Sequence, residues 1–304
     1  MRILPTTRIN RLISAPQAFI AESEKAYLDQ IERTAEVLAD NRDEKPIILI
    51  SGPSGSGKTT TAFRLRALLC DMGVNTHTLS MDNYFLSVHD PRNEFEEDGS
   101  IDFESPRRLD FDVLNEHMVK IINGEEFTLP IFDFKQQRRL DGEQFKRCDG
   151  EMVILEGIHA LNPDVTGKVI ENSAGVYVSV RTRISYGVGG YLHPCKIRLM
   201  RRLIRDRLFR NRKISDTLGF FKDVQRGEDK YILPYKCYAE HDIDTFIAYE
   251  AAVYREFLKE DLQELSGDFS DLRDVLTEIR GMGTKYVPSD SLTREFVGGS
   301  NFAY

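Results

Sequence analysis

A short stretch of glycine and serine carries the residue types that bind phosphate. The spacing G-x-x-x-x-G-K-S/T is matched in full by Gly52-Pro53-Ser54-Gly55-Ser56-Gly57-Lys58-Thr59. Glycines let the backbone curl so that N–H groups point at phosphate oxygens, and a helix that begins there adds its positive dipole end. Lys58 then reaches the β- and γ-phosphates, and the Thr59 hydroxyl is a ligand for Mg²⁺. We therefore predict a P-loop that binds ATP with Mg²⁺.

The residues around this loop have the pattern that a P-loop requires. Pro46 precedes the apolar run Ile47–Ile50, which suits a parallel strand buried on both faces. The residues that follow the loop, Lys58–Met72, have a helical pattern. A flexible glycine-serine turn is the alternative, and the strand before the loop and the helix after it argue against it.

Two carboxylates follow apolar strands. Asp82 ends the predicted strand Val74–Met81, and Glu156 ends the predicted strand Met152–Leu155. The carboxyl ends of parallel strands converge on the ligand crevice in open α/β sheets. We expect Asp82 to accept a proton from a substrate hydroxyl and Glu156 to hold Mg²⁺ directly or through water. The alternative for either residue is a helix N-cap.

One predicted helix, Lys196–Lys213, is crowded with arginines. Four of them share a face, and three more lie near the helix end: Arg198, Arg201, Arg202, Arg205, Arg207, Arg210 and Arg212. Guanidinium groups suit the clamping of a triphosphate, so we interpret the helix as a lid over ATP. A solvated basic helix and an RNA contact are the alternatives. A net charge of −8 argues against nucleic acid.

The order of the predicted elements indicates the fold class. Further strands are predicted at Val176–Val180 and Ile243–Tyr249, a helix at Asp110–Asn123, and a hairpin from Phe127–Phe134 and Gln144–Cys148. Strands that alternate with helices indicate an α/β protein of three layers with a mostly parallel sheet.

Three parts of the chain differ in pattern. We expect an N-terminal helical extension at 1–45, with one amphipathic helix from Pro16 to Asp40. The P-loop domain occupies 46–250. A C-terminal appendage at 251–304 contains helices at Ala251–Leu265 and Asp271–Arg280, followed by a polar, glycine-containing tail.

Composition narrows the class of protein further. The 304 residues include four cysteines, none at C-x-x-C spacing, so neither a zinc site nor a redox pair is indicated. No apolar run approaches the ~18–20 residues that a membrane helix needs, and Met1–Ile20 lacks the pattern of a signal peptide. We expect a cytoplasmic protein that binds neither nucleic acid nor membrane.

Several short motifs between Ile47 and Tyr249 resemble those of the uridine kinase family, within the phosphoribulokinase/uridine kinase group. They follow the family's order: Gly52–Thr60, Asp82-Asn83-Tyr84-Phe85, Phe103-Glu104-Ser105-Pro106, Pro130-Ile131-Phe132-Asp133-Phe134, Leu155-Glu156-Gly157-Ile158 and Arg201-Arg202-Leu203-Ile204-Arg205-Asp206. The tail Leu292–Ser300 is similar to that of longer bacterial proteins related to uridine kinase.

The resemblance implies an ATP-dependent kinase for a small hydroxyl-bearing metabolite and a role for each matched residue. Asp82, Lys58 and Arg205 would act in catalysis, and Thr59, Glu156 and Asp82 would hold the metal. ATP would be bound by Gly52–Thr60 with Arg202, Arg205 and Arg210. The acceptor would be bound by Asp82, Tyr84, Phe85, Phe103, Glu104, Phe132, Asp133, Gln137, Arg139 and Arg212. Short members of the family are often oligomeric, so a homo-oligomer is a further expectation.

The chain departs from the family pattern where the family reads a pyrimidine. Phe132 replaces a tyrosine, Gln137 aligns with a histidine, and Phe220 lies where a glutamine is expected. Glu104 replaces an aspartate, and the glycine-rich segment 185–194 is inserted before the lid. The expected acceptor is the 5′-hydroxyl of a nucleoside such as uridine or cytidine. The alternatives are another nucleoside, a sugar or polyol, an RNA end, or a P-loop ATPase or nucleotide sensor without an acceptor.

Overall fold

The computed structural model describes residues 2–95, 99 and 101–303. In chain order the strands are β1 (Ile3–Pro5), β2 (Ile47–Ser51), β3 (Thr76–Ser80), β4 (Phe127–Asp133), β5 (Arg138–Phe145), β6 (Met152–Glu156), β7 (Ser173–Ser179), β8 (Arg183–Tyr186), β9 (Gly190–Leu192) and β10 (His241–Asp244). The helices are α1 (Thr6–Leu12), α2 (Pro16–Asp40), α3 (Lys58–Asp71), α4 (Phe111–Asn123), α5 (Pro163–Thr166), α6 (Pro194–Arg210), α7 (Ile214–Gly219), α8 (Phe221–Tyr231), α9 (Glu250–Leu258), α10 (Ser270–Glu278) and α11 (Thr293–Val297).

A parallel sheet with the strand order β10-β7-β2-β6-β3 lies at the centre of the molecule. Every residue of β2 is buried. Side chains alternate along a strand, so Ile48 and Ile50 join one apolar cluster while Ile47 and Leu49 join the other. Helices α2, α3, α6 and α9 pack on the first face, and α4 and α5 on the second. The three-layer α/β fold expected from the sequence is confirmed.

The amphipathic helix predicted from Pro16 to Asp40 is confirmed at both ends by α2. Its buried face, which includes Phe19, Tyr27 and Ile31, packs in the same cluster as the P-loop helix α3. The two helices touch through the hydroxyls of Tyr27 and Thr61, which lie 2.7 Å apart. The N-terminal extension and the P-loop domain therefore share one core.

Some predicted element boundaries were wrong, and local backbone geometry explains two of them. Strand β5 begins at Arg138, six residues before its predicted start, because Gln137 adopts a left-handed φ of 52° and makes the hairpin turn tight. Helix α6 ends at Arg210 because Asn211, with a φ of 51°, caps it. Strand β10 ends at Asp244, and the helix predicted at Ala251–Leu265 ends at Leu258.

The inserted segment 185–194 forms part of a second, smaller sheet. Strands β8 and β9 make an antiparallel hairpin, and β1 from the N-terminus pairs with β8 in parallel. Ile184 and Leu192 are fully buried, so the hairpin packs on the main core.

The C-terminal tail is also built into the core. Leu292 and Phe296 are fully buried in the cluster that contains α3 and α6. None of the helices in the described ranges combines the length and the apolar character needed to cross a bilayer.

Candidate active site

The P-loop follows β2 and wraps the first turn of α3. Glycine is required at Gly52, where a Cβ atom would lie 2.0 Å from the carbonyl oxygen of Val178 in β7. The carbonyl groups of the loop are bound from outside by two elements. Arg198 donates to Ser54 O at 3.1 Å and Arg201 to Gly55 O at 3.0 Å, both from α6. The Thr245 hydroxyl, which follows β10, donates to Ser56 O at 2.6 Å. These bonds hold the loop backbone in place.

Lys58, Thr59 and Glu156 lie together at the carboxyl ends of β2 and β6. The Thr59 hydroxyl is 3.4 Å from Glu156 Oε1, and Lys58 Nζ is 3.4 Å from Pro53 O. Burial lowers the pKa of Lys58, although Glu156 and Asp82 oppose the shift. Burial also raises the pKa of Glu156 to about 7, against the pull of Lys58. Desolvated charges of both signs in one place are suited to a bound polyanion and a cation.

Asp82 lies at the end of β3, in the 3₁₀ turn Met81–Tyr84. Its backbone N–H donates to Ser80 Oγ at 3.3 Å, and this bond caps the turn. Burial raises the pKa of the Asp82 carboxyl, while the positive charges of Lys58 and Arg210 oppose that shift. The structure thus brings Asp82 into the electrostatic environment of the P-loop lysine.

The arginines of α6 have separate partners. Arg201 is fully buried and paired with Glu250 of α9, whereas Arg205 and Arg210 flank Asp206 at 2.8 and 3.5 Å. Arg202 is 7% exposed, and within the described residues its buried Nε and Nη1 atoms have no hydrogen-bond partner. Burial lowers its pKa to about 10. A buried guanidinium without acceptors fits a phosphate-bearing ligand, whose oxygens would supply them.

Glu104 lies within the electrostatic reach of Arg202. A Cβ atom on Gly227 of α8 would lie 2.3 Å from Glu104 Cβ, so the side chain packs directly on that helix. Burial raises the pKa of Glu104 to about 7, with Arg202 and Lys58 acting in the opposite direction. Tyr231, also in α8, donates to Asp102 at 2.9 Å and holds the loop before Glu104 in place.

Several predicted acceptor residues direct their polar groups elsewhere. The Tyr84 hydroxyl lies 3.2 Å from His117 Nδ1 in α4. The Asp133 carboxylate accepts the N–H groups of the hairpin turn, and the Gln137 amide donates to Phe134 O at 2.7 Å. Arg139 is paired with Asp110 at 3.0 Å.

The aromatic candidates form two groups. Phe132 is buried and packs edge-on against Phe85, with ring centroids 5.8 Å apart. Phe103 is exposed, and Arg108 lies over the rings of both Phe103 and Phe85. Arg212 lies 5.7 Å from the ring of the exposed Phe220. Phe85 and Phe132 thus pack on each other, and Arg108 links Phe103 to Phe85. We name these three side chains the aromatic wall; none of them has a polar group to read a base.

Two residues near the site were not singled out from the sequence. His159 follows Glu156 by three positions, is 2% exposed, and within the described chain its Nδ1 has no partner. Burial lowers its pKa to about 4, against the effect of the Tyr231 and Glu104 backbones. The sequence signal that could have identified His159 is its position three residues after Glu156, the metal-ligand candidate that ends β6. Glu295, in the C-terminal tail, hydrogen-bonds to Thr60, and no local pattern marks it.

The residues present fit ATP and Mg²⁺. The unpartnered guanidinium atoms of Arg202 and the half-buried ammonium group of Lys58 suit the triphosphate. The Thr59 hydroxyl and the Glu156 carboxylate are oxygen ligands of the kind that Mg²⁺ prefers. Among the described residues no cluster of three or more His, Cys, Asp or Glu could hold a metal.

The parallel sheet, the P-loop after β2 and the carboxylates at the carboxyl ends of β3 and β6 define a P-loop kinase. A family model described as "Phosphoribulokinase / Uridine kinase family" matches residues 47–248. The chain belongs to that family. It is an ATP-dependent kinase that phosphorylates a small metabolite.

Curated relatives support this assignment. A protein named "Uridine kinase" from Borrelia duttonii is 29% identical over 196 residues, which cover 64% of this chain and 84% of the relative. Another protein named "Uridine kinase", from Halobacterium salinarum, is 24% identical over 193 residues, which cover 63% of this chain and 76% of the relative.

A solved structure supports the fold. The crystal structure of a putative fructose transport system kinase from Silicibacter sp. has a TM-score of 0.51 and 17% identity to this chain. The match covers 67% of this chain and 96% of the other.

Proposed function

We propose that the enzyme transfers the γ-phosphate of ATP, with Mg²⁺, to the 5′-hydroxyl of a nucleoside such as uridine or cytidine. The observation that carries the proposal is the position of Asp82 in the turn after β3, where the positive charges of Lys58 and Arg210 act on the pKa of its carboxyl. A carboxylate at that point can orient and deprotonate an attacking hydroxyl. The two relatives named "Uridine kinase" support the choice of a nucleoside.

Each residue has one task in this mechanism. Thr59 and Glu156 would hold Mg²⁺, which offsets phosphate charge when it is bound. Lys58, Arg202, Arg205 and Arg210 bind the triphosphate and stabilise charge on the transferring group, with Gly52–Thr60 as the cradle. The Asp82 carboxylate takes the hydroxyl proton as the oxygen attacks.

The acceptor is positioned by a second set of residues. Glu104 would hydrogen-bond the sugar hydroxyls, and Arg139 and Arg212 would contact the acceptor. The aromatic wall of Phe85, Phe103 and Phe132 receives the base or another apolar part of the acceptor. Water is excluded when the site closes on both substrates, and this exclusion limits wasteful ATP hydrolysis.

A sugar or polyol acceptor is the second candidate, and the hairpin favours it. Phe132 has no polar side-chain group, and the Gln137 amide already donates to Phe134 O. Phe132 therefore offers no side-chain hydrogen bond to a pyrimidine, and the bond to Phe134 holds part of the Gln137 amide within the hairpin. Discrimination between bases depends on such hydrogen bonds. An acceptor that is recognised only through its hydroxyl groups does not need them, so the replacement of the family's tyrosine by Phe132 would not weaken its binding.

An assay of ADP release over nucleosides, sugars and polyols tests the proposal. The full-length protein is incubated with Mg²⁺, ATP and one acceptor, and mass spectrometry identifies the phosphorylated product. We expect ADP release to depend on a nucleoside and the product to be its 5′-monophosphate. Turnover with polyols alone would establish the second candidate. ADP release that no acceptor stimulates would indicate an ATPase or a nucleotide sensor and would contradict both.

A further inference from the structure

The C-terminal tail packs on the P-loop helix. The side chain of Leu292 covers Gly57, where a Cβ atom would lie 2.5 Å from Leu292 Cδ1. Gly57 has a left-handed φ of 86° and caps α3. Arg64, two turns further along α3, donates to the carbonyl oxygen of Asp290 at 2.6 Å. One face of α3 is thus covered by the segment Asp290–Val297, which we name the tail latch.

The tail latch is anchored to the rest of the core. Ser291 Oγ lies 2.8 Å from the Tyr249 hydroxyl. The Phe296 ring packs under the guanidinium of Arg201, at 5.3 Å from its centroid, and Arg201 itself binds Gly55 O of the P-loop. The latch, α6 and the P-loop therefore form one packed unit.

The tail latch brings a carboxylate to the P-loop. The Thr60 hydroxyl, in the first turn of α3, donates to Glu295 Oε2 at 2.5 Å. Thr60 is fully buried, and Glu295 is half-buried. The Glu295 charge also acts on the pKa values of Lys58 and Glu156, so it lies within the electrostatic reach of the phosphate site.

A carboxylate at this point has opposite effects on the two states of the enzyme. Without nucleotide, a negative charge at the first turn of a helix stabilises the helix. When a triphosphate enters the P-loop, the same charge repels it, and the repulsion is strong where water is excluded.

We propose that Glu295 sets the affinity of the enzyme for its phosphate donor. It supplies negative charge at the first turn of α3 in the nucleotide-free protein, and its bond to Thr60 is given up or weakened when ATP binds. The inference rests on the proposed function, because it requires that the P-loop bind ATP. Within the tail latch, Glu295 thereby acts as a positioning residue of the donor site.

Two substitutions separate this role from simple packing. Glu295→Gln keeps the size and the acceptor oxygen of the side chain but removes its charge. Asp290→Asn is the matched control, since it removes a carboxylate from the same latch. The Asp290 side chain contacts Arg64 and not Thr60. Calorimetric titration of each full-length protein with Mg-ATP gives a dissociation constant, and thermal melting without nucleotide gives Tm.

The expected results have opposite signs in the two measurements. Glu295→Gln should bind Mg-ATP about five- to twentyfold more tightly than wild type, because a nearby like charge is removed. Its Tm without nucleotide should fall by roughly 2 °C, because an anion is lost from the helix N-terminus. Asp290→Asn should leave the dissociation constant within about twofold of wild type. A purely structural role would weaken binding and lower Tm together.

Other outcomes overturn the inference in distinguishable ways. Equal or weaker ATP binding by Glu295→Gln, with wild type binding normally, would overturn it alone. No Mg-ATP binding by either protein would overturn the proposed function and the inference with it. If Glu295→Gln does not fold, Glu295→Ala provides a second charge-free variant with the same expected tightening, and Glu295→Asp, which keeps the charge, should show none.

Discussion

Arg201 and Glu250 form a fully buried ion pair, with Arg201 Nε 2.7 Å from Glu250 Oε2. Arg201 also donates to the backbone oxygens of Gly55 and Thr245. The neighbouring Arg202 has buried nitrogen atoms without partners in the described part of the chain. Two consecutive arginines therefore have different roles. Arg201 holds the P-loop in place, and Arg202 is available to bind a ligand.

This difference gives a paired prediction. Arg201→Ala should lower the free energy of unfolding by about 3–5 kcal/mol, because it leaves Glu250 buried and unpaired. Arg202→Ala should change it by less than about 1 kcal/mol, because no partner is lost, and should lower kcat/KM for ATP by about 10–100-fold. Denaturant unfolding and steady-state kinetics measure the two effects. Equal destabilisation by both substitutions would show that Arg202 is a structural residue.

The first glycine of the P-loop gives a prediction about the loop backbone. Gly52→Ala should destabilise the protein by more than about 3 kcal/mol, because the new Cβ would lie 2.0 Å from the Val178 carbonyl oxygen. Gly73→Ala is the matched control, since Gly73 has a φ of 83° and nothing within 4 Å of the added atom. Only backbone strain of about 1–2 kcal/mol should appear there. A similar decrease in the free energy of unfolding for both variants would show that Gly52→Ala destabilises the protein through backbone strain and not through a clash with β7.

Much of this architecture was predictable from local patterns. The P-loop, the buried strand β2 and the helix Pro16–Asp40 each have a signature within a short window of sequence, so each was placed correctly. The predicted start of the second hairpin strand, β5, was wrong because one left-handed residue, Gln137, decides where the turn ends. A left-handed conformation has no strong sequence signal outside glycine.

Contacts between distant residues were beyond local reasoning. Thr60 and Glu295 are separated by 235 positions, and β1 pairs with β8 across 180 residues. The arginine motif predicted a clamp on the triphosphate but not the ion pair of Arg201 with Glu250. Arg201 and Arg202 are adjacent and have the same sequence context, so their sequence cannot tell their roles apart. Only the packing of α6 on α9 separates them.

The pKa of Glu104 makes a pH-dependent prediction about stability. Burial raises it to about 7 in the folded protein, so the neutral form is favoured on folding. The stabilisation from that protonation is present below the ordinary glutamate value of about 4.5 and is lost as pH rises through about 7. Relative to wild type, Glu104→Gln should therefore gain Tm as pH rises from 5 to 8. A difference in Tm that is constant over this range would contradict a raised pKa.

The Asp82→Asn variant tests whether the Asp82 carboxylate takes the proton of the acceptor hydroxyl. Asp90→Asn is the control, because Asp90 lies on a surface turn and binds Arg92 at 2.8 Å. The measurements are acceptor-dependent ADP release and the dissociation constant for Mg-ATP. We expect Asp82→Asn to lower kcat by about 10²–10⁴-fold while Mg-ATP binding stays within about threefold of wild type. Near-normal turnover by Asp82→Asn would show that Asp82 is not the catalytic base.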